Sequence, residues 1–194
     1  MSDRNVAVGG DFNRIFDHRD YLAMVSIPDE ATCVLRAHLI LEEVLNLWCN
    51  KLTNTDDLYE GLFFSFKSKL VISKNLGLDV SIVRILDKIN NLRNRFSHRR
   101  GHQMEKSGID SIKALVDDLD CPANIQRCDS FHLFIGGQDQ SGKEVEVTHT
   151  YQKGENRIKF LIVFVILMLK LSWWLQAEFS KRGIDYVIIV HQQG

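Results

Sequence analysis

Apolar residues recur every three to four positions through the first part of the chain, which is the spacing of one buried helix face. The first such segment spans residues 28–52, and Asp29 is placed to cap its start. A second helix is predicted to begin after Thr55 or Asp56 and to continue until Gly77, a residue type that commonly ends helices. Two helices with one apolar face each predict packing against a shared core.

The same periodicity predicts two further helices. One opens at Asp79, runs through His98 and ends before Gly101, and the other covers residues 107–119. Short connections between consecutive helices favour antiparallel neighbours. The first part of the chain is therefore predicted to form a helical bundle.

The pattern changes to strand-like alternation further along the chain. Apolar residues at 131–135 are followed by a turn-rich stretch at 136–142 and then by alternating apolar and polar residues up to Tyr151. This arrangement predicts a β-hairpin, inserted at residues 130–152 of a helical protein. The chain closes with a β-branched run at 186–190, which we expect to pair with the hairpin as an edge strand.

The strongest helix is predicted at residues 156–181. It contains ten unbroken apolar residues at 160–169, after which Lys170 and Ser172 interrupt the run. A membrane-spanning helix needs about 20 predominantly apolar residues, and shorter runs are typical of buried core helices. We therefore expect a core or dimer-interface helix and no membrane partner.

Length and composition indicate one globular domain over residues 1–194, in which residues 1–11 have few anchors and are expected to be flexible. The formal net charge is −1, so any nucleic-acid binding requires a local basic cluster rather than bulk charge. The four cysteines include no C-x-x-C pair, and the first residues lack a secretory signal pattern. These features favour a reduced, cytoplasmic setting without a metal site.

A basic cluster lies at the end of the third predicted helix. Within ten residues it contains four arginines and two histidines, namely Arg93, Arg95, His98, Arg99, Arg100 and His102. Asn94 and His98 are four residues apart and share a helix face, whereas Arg93 and His98 point about 140° apart around an ideal helix. The cluster is suited to an anionic ligand.

These residue types suit phosphodiester chemistry. A histidine can take a proton from an attacking hydroxyl or give one to a leaving oxygen near neutral pH. An arginine can hold the phosphate and stabilise the charge that grows in the transition state. RNA brings its own nucleophile, the 2′-hydroxyl, so cleavage needs no metal or other cofactor. Spacing alone leaves two other interpretations open, which are cations that stabilise a helix C-terminus and phosphate binding without cleavage.

The segment 93–98, with the sequence RNRFSH, fits the Arg-polar-x-x-x-His motif and resembles the HEPN superfamily. The surrounding order is similar to the mannitol operon repressor branch, with paired glutamates at 42–43, the segment 66–70 and then the helix at 85–98. The resemblance covers about residues 30–120, together with the last long helix by its position.

The resemblance implies a mainly α fold, an antiparallel HEPN-like helical bundle to which the hairpin and the terminal strand are additions. HEPN domains usually dimerise so that two motifs meet in one cleft, and many are ribonucleases. Carried over by position, His98 is the acid or base, Arg93 the phosphate ligand, and Asn94 the residue that orients them. Glu42 or Glu43 is the assisting acid that the resemblance implies, although both glutamates also suit a solvated helix face.

On this basis we predict a homodimeric, metal-independent endoribonuclease of a toxin–antitoxin or phage-defence system. The remaining basic residues are predicted to contact RNA or phosphate, and these are Arg95, Arg99, Arg100 and His102. An antitoxin or a nucleotidyltransferase is the class of protein partner implied. The alternative is a non-catalytic regulatory protein of the mannitol operon repressor type that acts through protein–protein contacts.

For several other side chains the sequence favours a structural role. His38 is expected to be a core histidine with a satisfied hydrogen bond, and Lys67 and Lys69 are expected to be solubilising residues on an exposed helix face. Trp173 and Trp174 can stack on nucleic-acid bases. Their apolar surroundings instead predict the core or a dimer interface.

Overall fold

The computed structural model describes residues 7–98, 101–138 and 142–190. This part of the chain is mainly helical, and its helices are α1 (His18–Ser26), α2 (Glu30–Thr53), α3 (Phe66–Asn75), α4 (Val80–His98), α5 (Lys106–Asp118) and α6 (Asn156–Lys181). Its strands are β1 (Ala7–Val8), β2 (His132–Gln138), β3 (Glu144–Thr150) and β4 (Ile189–Val190). The mainly α architecture with a small β addition is confirmed.

The bounds of α2 are close to those predicted. Asp29 has extended backbone, and its carboxylate accepts the Thr32 N–H at 2.7 Å, which satisfies one of the unpaired donors at the helix N-terminus. Asn54 ends the helix in the left-handed conformation with φ 53°, which asparagine tolerates better than most residues. Local capping chemistry therefore accounts for both ends of α2.

The prediction for the start of the second helix was wrong, because α3 begins after Ser65 rather than near residue 56. Residues 54–65 form turns instead. The Asp57 carboxylate accepts the backbone N–H two residues later at 3.0 Å, and Gly61 has φ 75°. The Ser65 hydroxyl then accepts the backbone N–H three residues later at 3.1 Å and caps α3. Such side-chain bonds to backbone compete with helix formation.

The predictions for α4, α5 and α6 are confirmed to within about one residue. The Asp79 carboxylate accepts the Ser81 N–H at 2.7 Å ahead of α4, and Gly101 has φ 75° beyond its end. The sequence reasoning missed α1, which is short and whose only buried residue is Met24. Asp17 caps α1 by accepting the Arg19 N–H at 3.0 Å.

The helix α6 lies in the core of the fold. It is long and apolar enough to span a membrane, yet 72% of its most apolar window is buried within the protein, as in the core helix of a soluble protein. Trp174 packs its ring 5.1 Å from that of Trp48 in α2, while Trp173 stays about half exposed. Trp174 is thus confirmed as packed against the core, and an interface role for Trp173 stays a prediction.

Helices α2 and α4 run antiparallel, as expected for bundle neighbours. At the start of α2, Glu30 accepts the Met104 N–H at 2.6 Å, and Met104 lies beyond the end of α4. Two turns further along α2, His38 is hydrogen-bonded to Asn90 within α4 at 3.1 Å. The N-terminal half of α2 therefore lies beside the C-terminal half of α4, where the basic cluster begins.

The predicted hairpin is confirmed as β2 and β3, which pair antiparallel from His132 opposite Thr150 to Gln138 opposite Glu144. The predicted partner of the terminal strand was wrong. Ile189 and Val190 pair with β1 near the chain's start, not with the hairpin. The hairpin precedes α6 and the strand follows it, and a helix of 26 residues is about 39 Å long. The helix thus separates the two segments.

Part of the N-terminal segment that was expected to be flexible is tied to the fold. The N–H of Asp11 donates to the Val187 carbonyl at 2.9 Å, and the Val187 N–H donates to the Asp11 carboxylate at 2.8 Å. The Phe12 side chain that follows is completely buried. Residues 7–12 are therefore anchored by the segment at 187–190.

Candidate functional site

A cavity of about 270 Å³ opens between α2, α3, α4 and the loop that precedes α3. From α2 it is lined by His38 and Glu42, and from α4 by Asn90, Arg93 and Asn94. These positions meet because α2 and α4 are antiparallel neighbours and each presents one face to the gap. The cavity thus contains two of the three residues that the motif resemblance singles out.

Arg93 has hydrogen-bonding capacity that the described residues do not use. Its Nη1 donates to Asn94 Oδ1 at 3.2 Å, and the orienting role of Asn94 stays a prediction. Its Nε is shielded from solvent and has no hydrogen-bond partner in the described part of the chain. A buried donor without an acceptor is uncommon in folded proteins and favours a role in binding. No described carboxylate lies within ion-pair distance of Arg93.

His38 is a buried histidine with a hydrogen bond, as predicted. Only 5% of its surface is exposed, its Nε2 lies 3.1 Å from Asn90 Oδ1, and its ring lies 4.3 Å from that of Phe66. Burial lowers the pKa of the His38 imidazole, and the Asn90 hydrogen bond only partly opposes that shift. The neutral form therefore predominates, and His38 forms a polar but uncharged part of the cavity wall.

Glu42 belongs to a partly buried ion pair at the cavity. Lys69 from α3 donates to Glu42 Oε1 at 2.7 Å and to Asn46 Oδ1 at 3.0 Å. The Lys69 ammonium also lies 4.8 Å from the centre of the Tyr59 ring, and Lys69 is only 8% exposed. The prediction that Lys69 is an exposed solubilising residue was therefore wrong. Its helix face packs against α2 rather than against solvent.

Glu43 faces a different part of the surface. Its carboxylate lies 3.6 Å from Arg14 Nη1 and lines a wide polar groove of about 890 Å³, to which the cavity residues above do not contribute. Neighbouring residues of a helix point about 100° apart, and here that rotation turns Glu43 from the cavity towards the groove. Of the two glutamates, Glu42 is the one at the cavity.

His98 is the last residue of α4, is exposed, and does not line the cavity. It follows Asn94 by four residues and so lies on the same helix face, about 6 Å further along the axis. Arg95 is exposed on α4 as well. The fold of one chain thus brings Arg93 and Asn94 together and leaves His98 outside the cavity.

The three remaining residues of the basic cluster follow α4 in the chain. Arg99 and Arg100 lie outside the described residues. His102 packs its ring 4.8 Å from that of Phe96, and its Nε2 is shielded without a hydrogen-bond partner among the described residues. His102 therefore contributes to the packing behind α4, and its predicted RNA contact stays a prediction.

Sequence reasoning missed the aromatic wall of the cavity. Phe63 and Phe64 line it from the loop before α3, beside Lys67, which forms an ion pair with Asp87 at 2.6 Å. Residue 63 falls within the second helix that the sequence predicted between residues 56 and 77, where its apolar side chain was expected to contribute to the buried face. The turn signals at Asp57 and Gly61 were the available sign that this segment is a loop.

No family model, curated protein or solved structure matches the chain. The likeness of residues 93–98 to the HEPN motif therefore stays a prediction.

Proposed function

We propose that this protein is an HEPN-like, metal-independent endoribonuclease that works as a homodimer. The observation that carries the proposal is the Nε of Arg93 on the wall of an open cavity, which is shielded and has no partner within the described ranges, with Asn94 bonded to the same guanidinium. A guanidinium that lacks a carboxylate partner is suited to the phosphate of a bound nucleic acid.

The reaction follows from the residue types. The 2′-hydroxyl of RNA attacks the adjacent phosphorus, a new O2′–P bond forms and the P–O5′ bond breaks. One imidazole takes the 2′-hydroxyl proton, and a second gives a proton to the departing 5′ oxygen. Arg93 stabilises the charge that develops on the phosphoryl oxygens. The products are a 2′,3′-cyclic phosphate and a 5′-hydroxyl, and no water is consumed in this step.

A dimer supplies what one chain lacks, because His98 lies outside its own cavity. Leu35, Leu39 and Glu42 are spaced four and three residues apart on α2, so they share a face, and Glu42 lines the cavity. Leu35 and Leu39 are 45% and 49% exposed, which leaves an apolar surface beside the cavity. Two copies packed through this face would bring both His98 side chains towards a common cleft.

The catalytic proposal is tested with a fluorescent single-stranded RNA in the presence of EDTA. The unaltered chain should cut it and leave 2′,3′-cyclic phosphate ends, and His98→Ala should not. His18→Ala is the matched control, since His18 is an exposed histidine on α1, and it should cut at the original rate. Equal cutting by His98→Ala, or cutting of the corresponding DNA, would contradict the proposal.

The dimer is tested with Leu39→Asp, which places a charge on the exposed apolar face of α2. Light scattering should show a monomer, and cleavage should be lost with it. Val80→Asp is the control, because Val80 is 65% exposed at the opposite end of α4, and it should remain dimeric and active. An unaltered chain that is monomeric while it cuts RNA would refute the composite cleft.

The exposed leucines equally suit the second candidate, a non-catalytic regulatory protein that binds a protein partner. If the protein is such a regulator, the purified chain should not cleave RNA in the assay described above. Leu39→Asp should also abolish capture of the partner while His98→Ala leaves capture unchanged. The pair of variants therefore separates the two functions.

A further inference from the structure

Phe63 is a fully exposed aromatic ring at the mouth of the cavity. Its side chain is 96% exposed, although it lines the same cavity as Arg93. Single exposed apolar residues are common on proteins, but this ring lines the same cavity as a guanidinium that has no carboxylate partner among the described residues. The combination of a free aromatic face and a free cationic donor matches the two parts of a nucleotide, the base and the phosphate.

The loop that carries Phe63 is held in place from both sides. Phe64 packs its ring 5.1 Å from that of Tyr59, and the Tyr59 hydroxyl donates to Cys49 Sγ at 3.1 Å in α2. On the other side, the Ser65 hydroxyl caps α3. Phe63 is therefore carried by an anchored loop, so its backbone is positioned in advance of any ligand while its exposed ring can turn to meet a base.

We propose that Phe63 is the stacking wall of a subsite that takes one unpaired base of single-stranded RNA, with the adjoining phosphate on Arg93. The inference rests on the proposed function and specifies its substrate. An unpaired base offers an open π-face for stacking, whereas the bases of a duplex are already stacked on one another.

The cavity itself favours a base over a protein side chain. Its volume of about 270 Å³ is just below the roughly 300–1,000 Å³ that is usual for ligand pockets, which suits one small group. Its wall also carries the side-chain amides of Asn90 and Asn94, whose oxygens bond to His38 and Arg93 and whose N–H groups can bond to acceptors on the edge of a base.

The test measures binding rather than cleavage. The probe is a fluorescein-labelled, fully 2′-O-methyl single-stranded RNA of twelve mixed nucleotides, which lacks the nucleophile and stays intact on the unaltered chain. Fluorescence anisotropy should show that Phe63→Ala and Phe63→Leu weaken binding about tenfold, since base stacking on an aromatic ring is worth that order of affinity. Phe63→Trp should bind at least as tightly as the unaltered chain.

Leu62→Ala is the matched control, because Leu62 is the exposed neighbour in the same loop but does not line the cavity. Its binding should be unchanged. Equal binding by Phe63→Ala, no binding of the probe by the unaltered chain, or equal binding of a duplex of the same sequence would each overturn the subsite. Conversion of the dimer to a monomer by Phe63→Ala would assign Phe63 to a protein interface instead and would overturn it as well.

The outcomes also separate this inference from the proposed function. If probe binding depends on Phe63 but natural RNA is not cleaved, the ribonuclease proposal is refuted and the base-binding subsite stands. If RNA is cleaved and neither cleavage nor probe binding changes in Phe63→Ala, the subsite is refuted and the ribonuclease proposal stands.

Discussion

Two polar clusters of this protein differ in whether their hydrogen bonds are complete. On the side of α5 and α6, the buried Lys170 ammonium donates to three backbone carbonyls at the end of α5, those of Val116, Asp117 and Leu119, at 2.8, 3.2 and 2.8 Å. At the cavity between α2 and α4, the Arg93 Nε is shielded and has no partner among the described residues. One cation completes a helix end, and the other leaves a donor free.

The completed cluster extends to the hairpin. Lys113 bridges the carboxylates of Asp117 and Asp129 at 2.9 and 2.7 Å, and Asp117 also accepts the Cys128 N–H at 2.8 Å. Burial alone would raise the pKa of Asp117, but the Cys128 N–H and Lys113 outweigh it, so that pKa is lowered. These bonds tie α5 to the segment that leads into β2.

The difference separates stability from binding. Polar groups whose bonds are all satisfied within the protein rigidify it, and removing one partner leaves the others buried and unpaired. A group held in a cavity without a partner contributes less to folding and is available to a ligand. Changes in the two clusters should therefore have opposite consequences.

The largest effect is expected for Arg93→Ala. RNA cleavage should fall at least about 100-fold, because a preorganised donor to the transition state is lost. The free energy of unfolding should change by less than about 1 kcal/mol, since little internal bonding is removed. Cleavage rates and urea unfolding are the measurements, and Arg84→Ala, an exposed arginine of α4, is the control. If Arg93→Ala is strongly destabilised but still active, Arg93 contributes to stability rather than to binding.

Lys170→Met should show the opposite result. It leaves the carbonyls at the end of α5 without their donor, and the free energy of unfolding should fall by about 3 kcal/mol. Cleavage per folded molecule should be unchanged, because Lys170 is remote from the cavity lining. Lys181→Met at the exposed end of α6 is the control and should unfold in urea as the unaltered chain does.

Tyr151→Phe tests the hairpin anchor with a smaller effect. The Tyr151 hydroxyl donates to Asp110 at 2.6 Å, and this bond, with Lys106, lowers the pKa of the Asp110 carboxyl. Losing it should cost about 1 kcal/mol at neutral pH. A lowered carboxyl pKa contributes stability above its unfolded value of about 3.9, so the cost should shrink as the pH falls below that value. A cost that grows in acid would contradict this account.

The smallest effect is expected for His38→Gln, measured as the pH dependence of unfolding. Because the pKa of folded His38 lies below the ordinary value of 6.5, the unfolded chain binds more protons as the pH falls below 6.5. This histidine should therefore make the protein less stable in that range. Glutamine can still bond to Asn90 but does not titrate in this range, so the variant should lose the part of the slope that His38 contributes. An unchanged slope would mean that His38 is accessible and charged.

Much of the helical framework was predictable, since it depends on short stretches of chain. Periodic apolar residues and the caps at Asp29 and Asp79 predicted α2 and α4, and the long apolar run predicted α6 with its observed bounds. The start of α3 was not predicted correctly, because turn-forming side chains before Ser65 outweighed an apolar spacing that also suits a helix. The partner of β4 was not predicted correctly either, because it depends on the length of α6, which sets the distance between the hairpin and β4.

The candidate site divides in the same way. Spacing alone put Arg93 and Asn94 together on one turn of helix, and it also put His98 on the face of Asn94 rather than that of Arg93. Tertiary packing decided the rest: Glu42 rather than Glu43 faces the cavity, Lys69 is buried, and Phe63 stands in solvent. Periodicity reports local conformation, whereas exposure and proximity depend on which segments pack against each other across the fold. For this reason the motif could be identified from the sequence, whereas the cavity that two of its residues line could be found only in the tertiary structure.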